Sequence, residues 1–261
     1  MVQFSSFAAS LVSKHWQTTL RSAENLLFPP VCMHCDFTVH KSGLLCPECW
    51  SQIDHIEKPL CAVLGIPFSY DLGEGALSAE AIANPPSYDS VRSVVHYNNV
   101  AKSLVHALKF SDRIDLAPWL AKWMVNWCRR TEPGLLDSEL LVIPVPLHRR
   151  RLLSRRFNQS AELARHFCRL ADLRFRPDIL QRTKSTRQQA GLPAKQRKRN
   201  VSGAFQVSKT AKPTLQETHI LLVDDVFTTG ATLEACAKAL KRAGASDVRC
   251  ITFARVARDP V

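Results

Sequence analysis

Leu221-Leu222-Val223-Asp224-Asp225-Val226-Phe227-Thr228-Thr229-Gly230-Ala231-Thr232 is the stretch that decides the fold. The apolar run His219–Val223 reads as a buried strand, and it ends in two adjacent carboxylates. A turn rich in hydroxyls follows and opens a helix over Thr229–Ala243, with Leu233, Ala237 and Leu240 on one face. Such a turn presents backbone N–H groups at a helix N-terminus, joined by the hydroxyls of Thr228, Thr229 and Thr232, which suits a phosphate. Gly230 lets the backbone approach an anion with no Cβ in the way. Asp224 and Asp225 would repel a phosphate; they make sense accepting hydrogen bonds from sugar hydroxyls or holding Mg²⁺ through water. A simple helix cap needs one such residue, not two carboxylates and a T-T-G-x-T turn.

Working outward, Ser93–Tyr97, Leu140–Val145 and Val248–Phe253 are further strand candidates. Ala101–Phe110, Leu116–Arg129 and a segment around Ser160–Leu170 carry helical periodicity, with a basic loop before the last. Strands alternating with helices predict an α/β fold, a parallel sheet covered on both faces. In such sheets ligands bind beyond the carboxyl ends of the strands, where this turn lies. No internal repeat is evident in the sequence.

Charge is concentrated. Residues 147–200 hold 16 Lys and Arg against 3 Asp and Glu, whereas the whole chain holds 35 against 23. One segment therefore carries the entire excess of +12. A basic patch of that density attracts polyphosphates, phosphorylated sugars or nucleic acid. Its aromatics, Phe157, Phe167 and Phe175, are few for a single-strand stacking platform.

Nine cysteines are present, five of them early: Cys32, Cys35, Cys46, Cys49 and Cys61. Two Cys-x2-Cys turns, Cys32/Cys35 and Cys46/Cys49, are the spacing of a tetrahedral zinc site, with Cys61, His34, His40 and His55 as alternatives for one ligand. Four thiolates leave no open position, so the site reads as structural Zn²⁺. The rival, a redox pair, needs a βαβ context that this stretch lacks. Cys128, Cys168, Cys236 and Cys250 stand in apolar surroundings and read as small core residues.

The organisation that results is an amphipathic helix over 1–28 (Phe4, Phe7, Leu11, Val12, Trp16 and Leu20), a cysteine-rich module over 29–68, a linker over 69–90 and an α/β domain over 91–261. The longest stretch without charge, Met1–Ser13, is too short to span a bilayer and has no basic n-region, so a cytoplasmic protein is expected. The patterns of P-loop proteins, zincins and serine hydrolases are absent.

Val223–Thr232 resembles the phosphoribosyl-pyrophosphate (PRPP) motif of type I phosphoribosyltransferases. The whole chain is similar to the ComF family of competence-related proteins. The resemblance runs from Leu26-Leu27-Phe28-Pro29-Pro30-x-Cys32 through Pro144-Val145-Pro146-Leu147, Arg156-Phe157-Asn158-Gln159 and Gln189–Phe205. It implies a type I phosphoribosyltransferase-like parallel sheet flanked by helices, with a small N-terminal zinc-ribbon-like module. It further implies that Asp224 and Asp225 contact the ribose hydroxyls and that Val226, Phe227, Thr228, Thr229, Gly230, Ala231 and Thr232 form the phosphate loop. Arg155, Arg156, Asn158, Gln159, Arg187, Arg197 and Arg199 then lie in pyrophosphate-binding and lid segments, where arginine's bidentate contacts fit. Two departures stand out. Leu64 occupies the place of a partner cysteine for Cys61, and Arg156 replaces a glycine before Phe157.

Two functions follow from the resemblance. One is a protein of DNA uptake or utilisation whose domain binds PRPP or a phosphoribosyl nucleotide, with single-stranded DNA, DNA-uptake proteins or a helicase as partners. The other is an active phosphoribosyltransferase using Mg²⁺ and PRPP. No base-recognition element or general base is placed by spacing, which leans the sequence toward the first.

Overall fold

The structure, a computed structural model, describes residues 29–184, 196 and 201–257. The helix expected over 1–28 and the lid-segment residues Arg187, Arg197 and Arg199 lie outside the described residues. Contacts divide the chain into two units, residues 1–52 and 53–261.

In the first unit, the chain from Pro30 makes a tight knuckle, with Cys32 N–H donating to Phe37 O (2.7 Å) and Val39 N–H to Pro30 O (2.8 Å). A short helix, α1 (Pro47–Ser51), begins at Cys46, whose sulfur accepts from Cys49 N–H (3.5 Å). The four clustered cysteines of the module expected over 29–68 fall in this unit, and the residues from Ile53 onward belong to the second.

The second unit is built on five parallel strands in the order β1 (Ser90–His96), β7 (Asp247–Arg255), β6 (His219–Phe227), β2 (Leu141–Pro144), β3 (Arg174–Phe175). The central strands are apolar almost throughout because both faces are covered: Ile220–Val223 and Val248, Cys250, Ile251, Phe253 and Ala254 are buried. Helices α3 (Asn99–Phe110), α4 (Ala117–Thr131), α5 (Arg149–Arg155), α6 (Gln159–Ala171) and α7 (Ala231–Lys241) connect them. A small antiparallel pair, β4 (Leu180–Arg182) and β5 (Phe205–Val207), stands apart.

Local chemistry explains where the helices begin. Asn98 Oδ1 accepts from Ala101 N–H (3.1 Å) at the start of α3, and Asn158 Oδ1 accepts from Ser160 N–H (3.2 Å) at the start of α6. Helix α4 buries Leu120, Ala121, Met124, Val125 and Cys128, a helical stripe. Helix α6 buries Leu163, Ala164, Phe167 and Cys168. All four late cysteines are buried, as their apolar surroundings predicted.

Three expectations change. The basic loop after Val145 is partly helical: α5 forms where no apolar period announces it, capped by His148 Nδ1 accepting from Arg150 N–H (3.2 Å). β6 runs past Val223 to Phe227 and takes both aspartates into the strand. The stretch 69–90 contains helix α2 (Ala79–Ala83), and it buries Ala81 and Tyr88 in the core of the second unit.

Trp127 is 1% exposed, and its Nε1 donates to Ile56 O (2.6 Å). Trp127→Phe keeps the apolar contact but leaves that buried carbonyl unpaired, so a loss of about 1–3 kcal/mol is expected in urea unfolding. An unchanged midpoint would show that the bond contributes nothing.

Candidate functional site

The chain enters the sheet so that its connections part between β2 and β6. β2 leads through α6 to β3 on one side, and β6 leads through α7 to β7 on the other. The crevice at their carboxyl ends is a topological switch point. Val145 N–H donates to Val223 O (3.0 Å), which holds the β2 exit beside the end of β6.

Asp224 and Asp225 end on opposite sides of β6, as successive strand residues must. Asp224 Oδ1 accepts from Ser160 Oγ (2.7 Å) at the start of α6 and from its neighbour's N–H (3.0 Å). Asp225 is buried and pairs with Lys109 Nζ at 2.8 Å near the end of α3. Removing Lys109 would strand a buried carboxylate, a far greater cost than losing a surface pair. Desolvation, reinforced by the like charge of Asp225, pushes the Asp224 carboxyl up to about 7.

Beyond Phe227 the turn reaches Gly230, the residue preceding α7, at φ +74°. Gly230 has no side chain with which to cap this helix, which suits the amides of its first turn to an external anion. Asp224 and Asp225 are strand residues, and the helix-cap reading is thereby excluded. Gly230 is required for a reason beyond anion access: an added Cβ would lie 2.9 Å from Phe227 Cζ and 3.4 Å from Tyr88 Oη. Glu234 in the first turn of α7 is turned away from the anion position, accepting from Ser87 N–H (2.7 Å) and Ser87 Oγ (2.9 Å).

The structure brings Arg155, Asn158 and Gln159 to the same end of the sheet. Asn158 Nδ2 donates to Val145 O (3.0 Å), and Arg155 Nη1 donates to Gln159 Oε1 (3.3 Å) with its guanidinium 4.7 Å from the Phe110 ring centroid. Arg156 is turned outward instead, pairing with Asp112 at 3.2 Å with its side chain 80% exposed. Its φ of 62° lies in the left-handed region, which accounts for the glycine that the family pattern favours there. Sequence reading missed Lys109 and Ser160, the two direct partners of the carboxylates. Neither belongs to a motif; only the fold brings α3 and α6 to β6. Arg182 is a buried residue of β4 lying over the Phe205 ring (5.3 Å).

In the first unit, the sulfurs of Cys32, Cys35, Cys46 and Cys49 lie within 4.8 Å of one another. Cys35 and Cys46 Sγ are 3.6 Å apart, close to the roughly 3.8 Å that a tetrahedral zinc with Zn–S of about 2.3 Å imposes. Cys32 Sγ accepts from Cys46 N–H (3.3 Å) and His34 N–H (3.5 Å), the donor pattern of a thiolate knuckle. Cys61 is not in the cluster; its sulfur accepts from Ser78 N–H (3.2 Å) and Leu64 N–H (3.4 Å). The donor set fits structural zinc. Among the described residues no helix is long and apolar enough to cross a membrane.

A parallel sheet with this switch-point turn, in one chain with a four-cysteine knuckle, defines a phosphoribosyltransferase-like protein with a zinc ribbon. The family model of the phosphoribosyl transferase domain matches residues 161–260, and that of the double zinc ribbon domain matches residues 23–82. Competence protein F of Haemophilus influenzae is 31% identical over 229 residues, 86% of this chain and 96% of that protein. DNA utilization protein YhgH of Escherichia coli O6:H1 is 33% identical over 84% of this chain and 87% of that protein. A solved structure titled as the allosteric regulatory enzyme of purine biosynthesis covers 57% of this chain and 30% of its own at 15% identity, with a TM-score of 0.39, too loose to carry an argument. The chain belongs to the competence protein F (ComF) family.

The Asp224 shift has a testable sign. Its folded-state pKa of about 7 lies above the ordinary aspartate value of 3.8, so folding takes up a proton between those values. Stability from this group is therefore present at pH 4 and is lost as pH rises through 7. Asp224→Asn keeps an acceptor for Ser160 and removes the penalty. In denaturant melts it should exceed the native chain by at least about 1 kcal/mol at pH 8 and match it at pH 4. Equal stability at pH 8 would contradict the shift.

Proposed function

We propose that the chain acts in DNA uptake or DNA utilisation, and that its phosphoribosyltransferase-like domain binds PRPP or a related phosphoribosyl ligand at the end of β6. The observation that carries the ligand is the uncapped N-terminus of α7, reached through Gly230 and three threonines, beside two carboxylates. A 5′-phosphate would sit on the amides and hydroxyls of Thr228–Thr232. The ribose hydroxyls would donate to Asp224 and Asp225. Mg²⁺, held through water by the same carboxylates, would add to the charge balance that Lys109 supplies. Arg155, the last residue of α5, would supply a cation for the pyrophosphate.

The DNA role is supported by the names of the relatives, competence protein F and DNA utilization protein, and by the basic segment over 147–200. Single-stranded DNA and DNA-handling proteins, including a helicase, are the partners that this reading assigns, in the cytoplasm. Nucleic-acid binding through that segment would weaken steeply with salt.

Calorimetry with PRPP and Mg²⁺ tests the ligand reading. The native chain should bind, and Asp224→Ala/Asp225→Ala should lose at least tenfold in affinity, about 1.4 kcal/mol. Equal binding by both proteins would move the ligand elsewhere, and absence of binding in both would leave the turn as scaffold. Pyrophosphate release with any nitrogenous base would decide for an active transferase.

A further inference from the structure

The matched ribbon family is double, yet the four clustered cysteines serve one metal. The second ribbon is nevertheless present, because the hydrogen bonds of residues 30–51 recur over 59–83. Cys32 N–H to Phe37 O (2.7 Å) is repeated by Cys61 N–H to Ile66 O (2.8 Å), and Val39 N–H to Pro30 O (2.8 Å) by Phe68 N–H to Pro59 O (2.9 Å). The pairing of Val31 with Thr38 is repeated by Leu60 with Pro67. Met33 N–H to Leu44 O (3.1 Å) becomes Ala62 N–H to Ala76 O (2.9 Å). The sulfur contacts recur as well: Cys46 N–H donates to Cys32 Sγ (3.3 Å), and Ser78 N–H donates to Cys61 Sγ (3.2 Å). Each copy ends in a five-residue helix capped by the same position, Cys46 before α1 and Ser78 before α2.

The register places Cys61, Leu64, Ser78 and Ala81 where the first copy has Cys32, Cys35, Cys46 and Cys49. This set does not fit zinc. Leu64 and Ala81 have no donor atom, and Ser78 Oγ already accepts from Ala81 N–H (3.3 Å). Cys61, Leu64 and Ala81 are instead buried in the core of the second unit.

We infer that residues 59–83 are a metal-free second ribbon, in which packing and hydrogen bonding to the phosphoribosyltransferase-like core have replaced the second zinc. The replacements are visible. Val63 O accepts from Val91 N–H of β1 (2.8 Å). Arg92 Nη1 donates to Ala62 O (2.9 Å), and Arg255 Nη1 donates to Gly65 O (2.6 Å). The knuckle lies so close to β1 that a Cβ on Gly65, at φ +59°, would come within 2.3 Å of Val91 O. The first copy holds its sulfurs for a metal; the second is held by two buried arginines and an apolar plug.

Metal analysis of the full chain tests this. About one zinc per chain is expected, falling to none in Cys32→Ser/Cys35→Ser and unchanged in Cys61→Ala. Two zincs in the native protein, or zinc lost from Cys61→Ala, would overturn the inference. A Leu64→Cys/Ser78→Cys/Ala81→Cys variant should gain a second tetrathiolate site, read by cobalt absorption as twice the native signal. If that variant is folded by circular dichroism yet takes up one metal, the assigned ligand positions are wrong. If it fails to fold, the stoichiometries of the native and Cys61→Ala proteins still decide.

Discussion

Two adjacent carboxylates at the end of a strand buried on both faces form the constraint that the rest of the second unit serves. Such a strand tolerates charge only where partners arrive from outside the sheet. Lys109 comes from α3 on one side and Ser160 from α6 on the other, so two helices that share no motif are tied to β6 at its carboxyl end. The same strand end launches the turn to α7 with an uncapped N-terminus. Cation, hydroxyl and open amides therefore converge where the connections of the sheet diverge.

That turn is braced from behind. The Phe227 ring fills the space that a Cβ on Gly230 would enter, and the Arg255 guanidinium lies 4.7 Å from the centroid of that ring. Burial lowers the Arg255 pKa to about 10, which leaves it charged at neutral pH, and it donates to Gly65 O. An unbroken line of contacts thus joins the residue 59–83 knuckle to the turn before α7. What reads in sequence as the tail of a metal module is, in the structure, part of the core of the second unit.

Much of this was legible from sequence, and the failures have physical causes. β2, β6 and β7 announced themselves because strands of a covered parallel sheet are apolar runs. The turn after β6 was legible because two carboxylates followed by T-T-G-x-T exceed what a helix cap requires. The end of β6 was misplaced because Asp224 and Asp225 look like a strand terminus until their partners are known. Helix α5 was hidden because Arg149–Arg155 has no apolar stripe and borrows its cap from a histidine. The ribbon repeat was missed because little identity survives: Pro30-x-Cys32 against Pro59-x-Cys61, and Leu45 and Glu48 against Leu77 and Glu80. With Leu64, Ser78 and Ala81 at three of the four ligand positions, the repeat is carried by backbone hydrogen bonds rather than by side chains. Lys109 carried no signal, since a lysine near a helix end is the ordinary complement to the helix dipole.

The account stands on the claim that the amides opening α7 receive a phosphate. The most direct measurement follows the backbone amide resonances of the native chain as Mg²⁺ and PRPP are added. The largest shifts should fall on Thr229, Gly230, Ala231 and Thr232, with smaller ones at Asp224 and Ser160. Shifts confined to α5 or to the β4–β5 pair, with those amides unmoved, would contradict the account and place the ligand on the basic surface instead.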